Sequence, residues 1–204
     1  ITLPGNGNEK ISFYVYGQRY LGTIYVGPGT NKLDIDASLE NSLNIENKLV
    51  KENEIVKELS RVQEDVFNLR ARKGDVFDVE KDTVASSVYQ KLTDYGVSIE
   101  QKIVGVDDLF NKRAIQDIRM QMLLAFMNQY FGINYRGSEE AKKEWEAVYP
   151  KMLAYTDINQ PENVFSEAFA DVIGSAAGIE LYMKTGQQPA SRNESNQKLF
   201  DWYK

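Results

Sequence analysis

The sequence has neither cysteine nor histidine in its 204 residues. Without cysteine there are no disulfides, no thiolate nucleophile and no sulfur-ligated cluster. Without histidine there is no Ser-His-Asp or Cys-His catalysis, no imidazole base and no histidine-containing zinc site. What stays open is carboxylate pairs, lysine or tyrosine chemistry, an all-oxygen magnesium or calcium site, or no chemistry. Basic residues are in the minority, 24 against 30 acidic for a net charge of −6. A phosphate-tracking surface is therefore not the dominant feature, and nucleic acid is not an expected partner. Long apolar runs are also missing: the longest, around residues 122–127, falls far short of the roughly 20 residues a spanning helix needs. No membrane span is expected. The opening Ile1-Thr-Leu-Pro-Gly lacks a charged start and an apolar signal core, which suggests a cut-out domain or a processed product.

What is present first is a β-rich start. Residues 11–26 are dense in aromatic and β-branched types, are broken by Gly17 and Gly22, and close on Gly27-Pro28-Gly29. This predicts a hairpin or two short strands, with a further strand at Leu33-Asp-Ile-Asp36. Residues 39–72 then contain no Pro or Gly, and Ile55, Val56, Leu59, Val62, Val66 and Leu69 recur at helical steps. The spacing predicts one long amphipathic helix stopped near Gly74. A helix of that length measures roughly 50 Å, more than one small domain covers, so it projects, packs on another chain, is broken near Asn53, or forms a helix hairpin or lies across its own domain. The Asn-rich stretch from Asn41 to Asn53 lowers the helix propensity of its first half.

Further on, residues 84–95 predict a helix ended by Gly96, and the alternation Val97, Ile99, Gln101, Ile103 predicts a strand over 97–106. Residues 112–130 carry a wide apolar face, Ile115, Ile118, Met122, Leu123, Phe126 and Met127. That predicts a central buried helix stopped by Gly132. Ser138 caps a helix over 139–149, Pro161 opens one reaching about residue 177, and residues 194–203 close the chain as a last helix.

Two of these helices carry a shared pattern. Gln121-Met-Leu-Leu-Ala-Phe-Met-Asn-Gln-Tyr-Phe-Gly132 has the outline of a zincin active-site helix, which reads H-E-x-x-H in active peptidases. There two histidines one turn apart clasp zinc while the glutamate activates its water. Here the three positions hold Gln121, Met122 and Ala125. Pro161-Glu-Asn-Val-Phe-Ser-Glu-Ala-Phe-Ala-Asp171 resembles the second metal helix of the anthrax lethal factor family, with the liganding position falling on Asn163 and Glu162 one residue early. Gln121 and Asn163 lie 42 positions apart, close to the spacing that family uses, and residues 140–149 resemble its intervening helix. The resemblance covers about residues 82–204.

By that resemblance the fold class is α+β, mostly helical, with a zincin-like core joined to an N-terminal β-hairpin and a long helix. The divisions are a β-hairpin and strand segment at 1–36, the long helix at 37–74 and a degenerate zincin-like domain at 75–204. The resemblance implies no catalysis, no metal and no cofactor, with Tyr155 a relic of the tyrosine that stabilises the oxyanion. It also implies a secreted or cell-surface bacterial protein that binds a protein partner, such as an oligomeric translocation component. The docking surface would lie on the helix after Phe169 and on the C-terminal helices, at Leu181, Tyr182, Trp202 and Tyr203. A rival frame at Ser86, Ser87 and Gln90 lacks every ligand as well.

A second reading is a structural or surface-assembly protein, phage or cell-surface, that forms a homo-oligomer through the 39–69 helix. A third is an enzyme using carboxylates. Asp107-Asp108 is the candidate for an oxygen-ligated metal, but two acids at such a junction more often serve as helix-start residues.

Overall fold

The computed structural model describes residues 2–5, 7, 9–15, 20–35, 43–70 and 84–186. Five short strands come first: β1 (Thr2–Gly5), β2 (Glu9–Val15), β3 (Tyr20–Val26), β4 (Gly29–Ile35) and β5 (Leu43–Glu46). They form two small antiparallel sheets, the β2–β3 hairpin and a three-stranded sheet in the order β1-β4-β5. The hairpin registers Glu9 opposite Val26 and Val15 opposite Tyr20, where the aromatic and β-branched content placed it. Ile24, Val26 and Leu33 form a small apolar cluster of their own.

Helices α1 (Val50–Arg70), α2 (Ala85–Glu100), α3 (Asp108–Arg136), α4 (Glu139–Thr156) and α5 (Phe169–Thr185) follow, with a 3₁₀ turn at Pro161–Phe165 before the last. The protein is mostly helical, with α3 as its axis. At 29 residues α3 runs about 43 Å, and α1, α2, α4, α5 and the 3₁₀ turn all pack against it. Ile118, Met120, Met122, Leu123, Phe126, Met127 and Tyr130 are all buried. Seven such positions in thirteen residues spread around the helix, which is the pattern of an element enclosed on several sides. Trp145 from α4 stacks near Tyr130 and tilts against Phe126, with ring centroids 6.0 and 4.7 Å away.

Several predicted boundaries move. The helix expected over 39–72 begins only at Val50, because residues 43–46 pair as β5 with β4, Lys32 opposite Glu46. The strand expected over 97–106 is instead the last turn of α2 and a loop. Leu92, Gly96, Ile99 and Ile103 are spaced four, three and four apart, a helical face that the local alternation of valine and isoleucine imitates. Gly96 does not end α2, and Gly132 does not end α3. The break comes at Gly137, whose N–H bonds the Ile133 carbonyl, and at Ser138, whose hydroxyl accepts from Ala141 N–H to cap α4. Helix α4 passes through Pro150 to Thr156, since Trp145, Val148, Tyr149, Met152 and Thr156 continue one buried stripe across it. Packing here outweighs the proline penalty. The helix expected from Pro161 to about residue 177 is split: only five residues turn, as a 3₁₀ helix, and α5 starts afresh at Phe169. The closing helix predicted over 194–203 lies outside the described residues.

Two polar networks fix how these pieces join. The side chain of Asn53 is buried in α1, accepts from Tyr25 N–H at 2.8 Å and donates to the Tyr25 carbonyl at 2.8 Å. One amide thus acts as a strand partner for β3 from the side of a helix. Asn47 bridges this pair to Asn31, which holds the Gly27 turn through both its N–H and its carbonyl. Asparagines that lower helix propensity in the sequence therefore serve as the staple between hairpin and helix.

The second network is Glu100, Arg119 and Tyr155. Arg119 donates twice to Glu100, Nε to Oε1 at 2.9 Å and Nη2 to Oε2 at 3.1 Å. The Tyr155 hydroxyl donates to the same Oε1 at 3.1 Å. It reaches there over Gly96, which has no Cβ to block it.

Candidate functional site

The zincin-frame residues sit in the interior. Gln121 is 5% exposed, Met122 0%, Ala125 2% and Asn163 0%. Asn163 is on the 3₁₀ turn, donates through Nδ2 to the Asp157 carbonyl, and leaves its Oδ1 without a partner among the described residues. The turn packs on α3, where the Ser166 hydroxyl donates to Asp117 at 2.6 Å, one turn before Gln121. The segment compared with a second metal helix is thus next to the first, but as a 3₁₀ turn followed by the start of α5, not as one continuous α-helix. Ser166 also accepts from Ala168 N–H, and such side-chain bonds compete with a continuing α-helix. No group of three acidic side chains able to hold a metal ion occurs among the described residues.

Tyr155 is bound up in the Glu100–Arg119 network. Burial first, and then the Glu100 carboxylate, push its hydroxyl well above the ordinary tyrosine range, so it is a held donor there. Arg119 is raised in turn by its bonds to Glu100. Leu181 and Tyr182 are half-buried on α5, whereas Trp202 and Tyr203 lie outside the described residues. Of the rival frame, Ser86 donates to Glu144 and Gln90 to Asp94, both at the surface. Asp107 caps α3, accepting from Leu109 and Phe110 N–H, as the helix-start reading expects.

A cleft of about 570 Å³ opens elsewhere on α3, toward its N-terminal end. Such a volume lies within the roughly 300 to 1,000 Å³ of sites that enclose small ligands. Its walls are Glu9 and Lys10 of β2, Tyr25 of β3, Val56 and Leu59 of α1, Phe110, Arg113, Ala114 and Asp117 of α3, and Phe165 and Glu167 beyond. The Asn53 staple positions one wall, because it holds the Tyr25 backbone against α1. Tyr25 then meets Phe110 edge-on, centroids 4.7 Å apart.

Charge in the cleft is unevenly satisfied. Lys10 lies 3.0 Å from Glu167 and 3.5 Å from Asp117. Burial lowers the Lys10 pKa, but the two carboxylates outweigh it and the net shift is upward. The Arg113 guanidinium stacks on Phe165 at 3.7 Å. Its buried Nε has no hydrogen-bond partner among the described residues, and neither has the buried Tyr25 hydroxyl. The two face each other closely enough to interact electrostatically, without closing an aligned hydrogen bond. Burial, then Asp107, raise the Tyr25 pKa, and Arg113 opposes that rise. In the sequence, Val56 and Leu59 stand only as helix-stripe positions and Phe165 and Glu167 only within the second-metal-helix pattern; nothing joins them to Lys10, Tyr25 or Arg113, since five elements far apart in the chain contribute to the cleft. The one available signal was Arg113 and Asp117, a charged pair one turn apart on a helix otherwise predicted to be buried.

A comparison with models of protein families, with curated proteins and with solved structures returns no match for this chain.

Proposed function

We propose that this chain is a non-catalytic binding domain: a degenerate, zincin-like pseudo-metallopeptidase of the lethal factor type that serves a secreted bacterial toxin-like protein by docking a protein partner. The observation that carries this reading is the state of the motif positions. Gln121, Met122, Ala125 and Asn163 are all packed in the interior, and none is a customary zinc ligand. The 3₁₀ turn bearing Asn163 nevertheless packs on the helix bearing Gln121, as the family frame requires of its two metal segments. The concave surface around Ala114, two turns before Gln121, offers recognition instead of a nucleophile and base. Leu181 and Tyr182 remain the nominated partner contacts on α5.

A zinc titration of the whole chain, run beside a peptide-hydrolysis assay, tests the reading. It expects neither one-to-one zinc nor cleavage. Stoichiometric zinc with hydrolysis overturns it.

A further inference from the structure

We propose that the cleft between the hairpin and α3 is a peptide site, taking one apolar or aromatic residue of a partner in extended form with a basic residue beside it. The inference rests on the binding-domain reading and names what that domain would recognise.

Three features of the cleft point this way. Its floor is apolar: Val56, Leu59, Ala114 and the rings of Tyr25 and Phe110. Large apolar side chains gain most from such a surface, and aromatic ones gain edge contacts as well. Beside the floor, the Tyr25 hydroxyl and Arg113 Nε interact with each other, but neither has a well-aligned hydrogen-bond partner among the described residues, and Tyr25 is only 3% exposed. A buried donor left without an aligned acceptor is unfavourable, and a ligand that supplies one gains affinity. A carbonyl oxygen, with two lone pairs, answers both donors at once.

The third feature decides between a neutral and a charged acceptor. The lining carries Glu9, Asp117 and Glu167 against Lys10 and Arg113, so the cleft is net acidic, as the chain is at −6. Lys10 is already claimed by two of the acids. A ligand carboxylate would gain Arg113 but meet that field, whereas a peptide carbonyl satisfies the donors without adding charge. The net negative charge, with Glu9 outside the Lys10 ion pairs, complements a lysine or arginine next to the anchoring residue. Phe165 is half exposed at the mouth, where a peptide's next side chain can pack against it.

Calorimetric titration of the whole chain with acetyl-Phe-Lys-amide tests this, with acetyl-Phe-Glu-amide as the charge control. The proposal expects saturable one-to-one binding of the first and at least about tenfold weaker binding of the second. Tyr25→Phe keeps the ring and its contact with Phe110 and removes only the hydroxyl; it should weaken the first peptide by about three- to tenfold. No saturable binding at millimolar peptide, equal affinity for the two peptides, or an unchanged affinity in Tyr25→Phe each overturns the proposal. If the chain also takes up no zinc and cleaves nothing, the binding-domain reading survives and only this peptide site falls.

Discussion

The hydroxyl of Tyr155 occupies the space that a Cβ on Gly96 would fill, with Met122 and Ile118 of α3 crowding the same point. A glycine in mid-helix normally costs about 1 kcal/mol relative to alanine, so Gly96→Ala would stabilise an isolated α2. In the folded protein it displaces Tyr155 from Glu100. The expected net loss is about 1–3 kcal/mol in urea unfolding. The double variant Gly96→Ala with Tyr155→Phe, free of the hydroxyl clash, should recover part of that loss. Simple additivity of the two would contradict the close approach.

Asn53 supports a larger prediction. Asn53→Leu leaves the Tyr25 N–H, buried beside α1, without its acceptor, and leaves the Tyr25 carbonyl with Asn47 but without the Asn53 amide. The cost should be about 2–4 kcal/mol by denaturant unfolding. Because Tyr25 walls the cleft, its Phe110 contact should loosen as well, seen as broadened ring resonances. A loss below about 0.5 kcal/mol would mean that the hairpin does not depend on this staple.

The apolar stripe of α1 separates the binding-domain reading from the surface-assembly alternative. Val56, Leu59 and Val62 are buried against the chain's own core, which leaves that part of the helix without a free seam for a second copy. Leu59→Lys with Val62→Lys should cost about 3 kcal/mol or more and unfold the protein. Light scattering that shows a native oligomer dissolving into folded monomers carrying these substitutions would favour assembly instead.

Alkaline pH should destabilise the protein. Burial foremost, then the nearby Glu146, raises Tyr130 from 10.0 to about 12. A group whose folded pKa exceeds its unfolded value contributes fully below the unfolded value and loses that contribution as pH climbs to the folded one. Stability from Tyr130 is therefore complete below pH 10 and declines from there toward about 12. Tyr155 and Lys10 are raised as well and act in the same sense. Tyr130→Phe should flatten the decline between pH 10 and 12 in urea titrations, and an identical slope in the variant would contradict the burial argument.

Much of the helical plan could be read from the sequence because its signals are local: the Ser138 cap, the wide apolar face of α3, and the β-branched run of the hairpin. Errors gathered where distant parts decide the outcome. Gly96 looks like a stop, and only the approach of Tyr155 explains a glycine inside α2. Pro150 looks like an end, but the buried stripe runs on to Thr156. Ser166 looks like a helical residue until its bond to Asp117, 49 positions earlier, turns the chain. The cleft was hidden for the same reason, since Lys10, Tyr25, Arg113 and Glu167 share no local pattern.

The central claim is that α3 recognises a partner near Ala114 and does no metal chemistry near Ala125. Methyl-resolved NMR of the whole chain, titrated first with zinc and then with acetyl-Phe-Lys-amide, reads the N-terminal part and the middle of one helix in a single sample. The account predicts that zinc moves neither methyl and that the peptide shifts Ala114, Val56 and Leu59 while Ala125 and Met122 stay in place. Stoichiometric zinc shifts at Ala125 and Met122, with Ala114 indifferent to peptide, would contradict it.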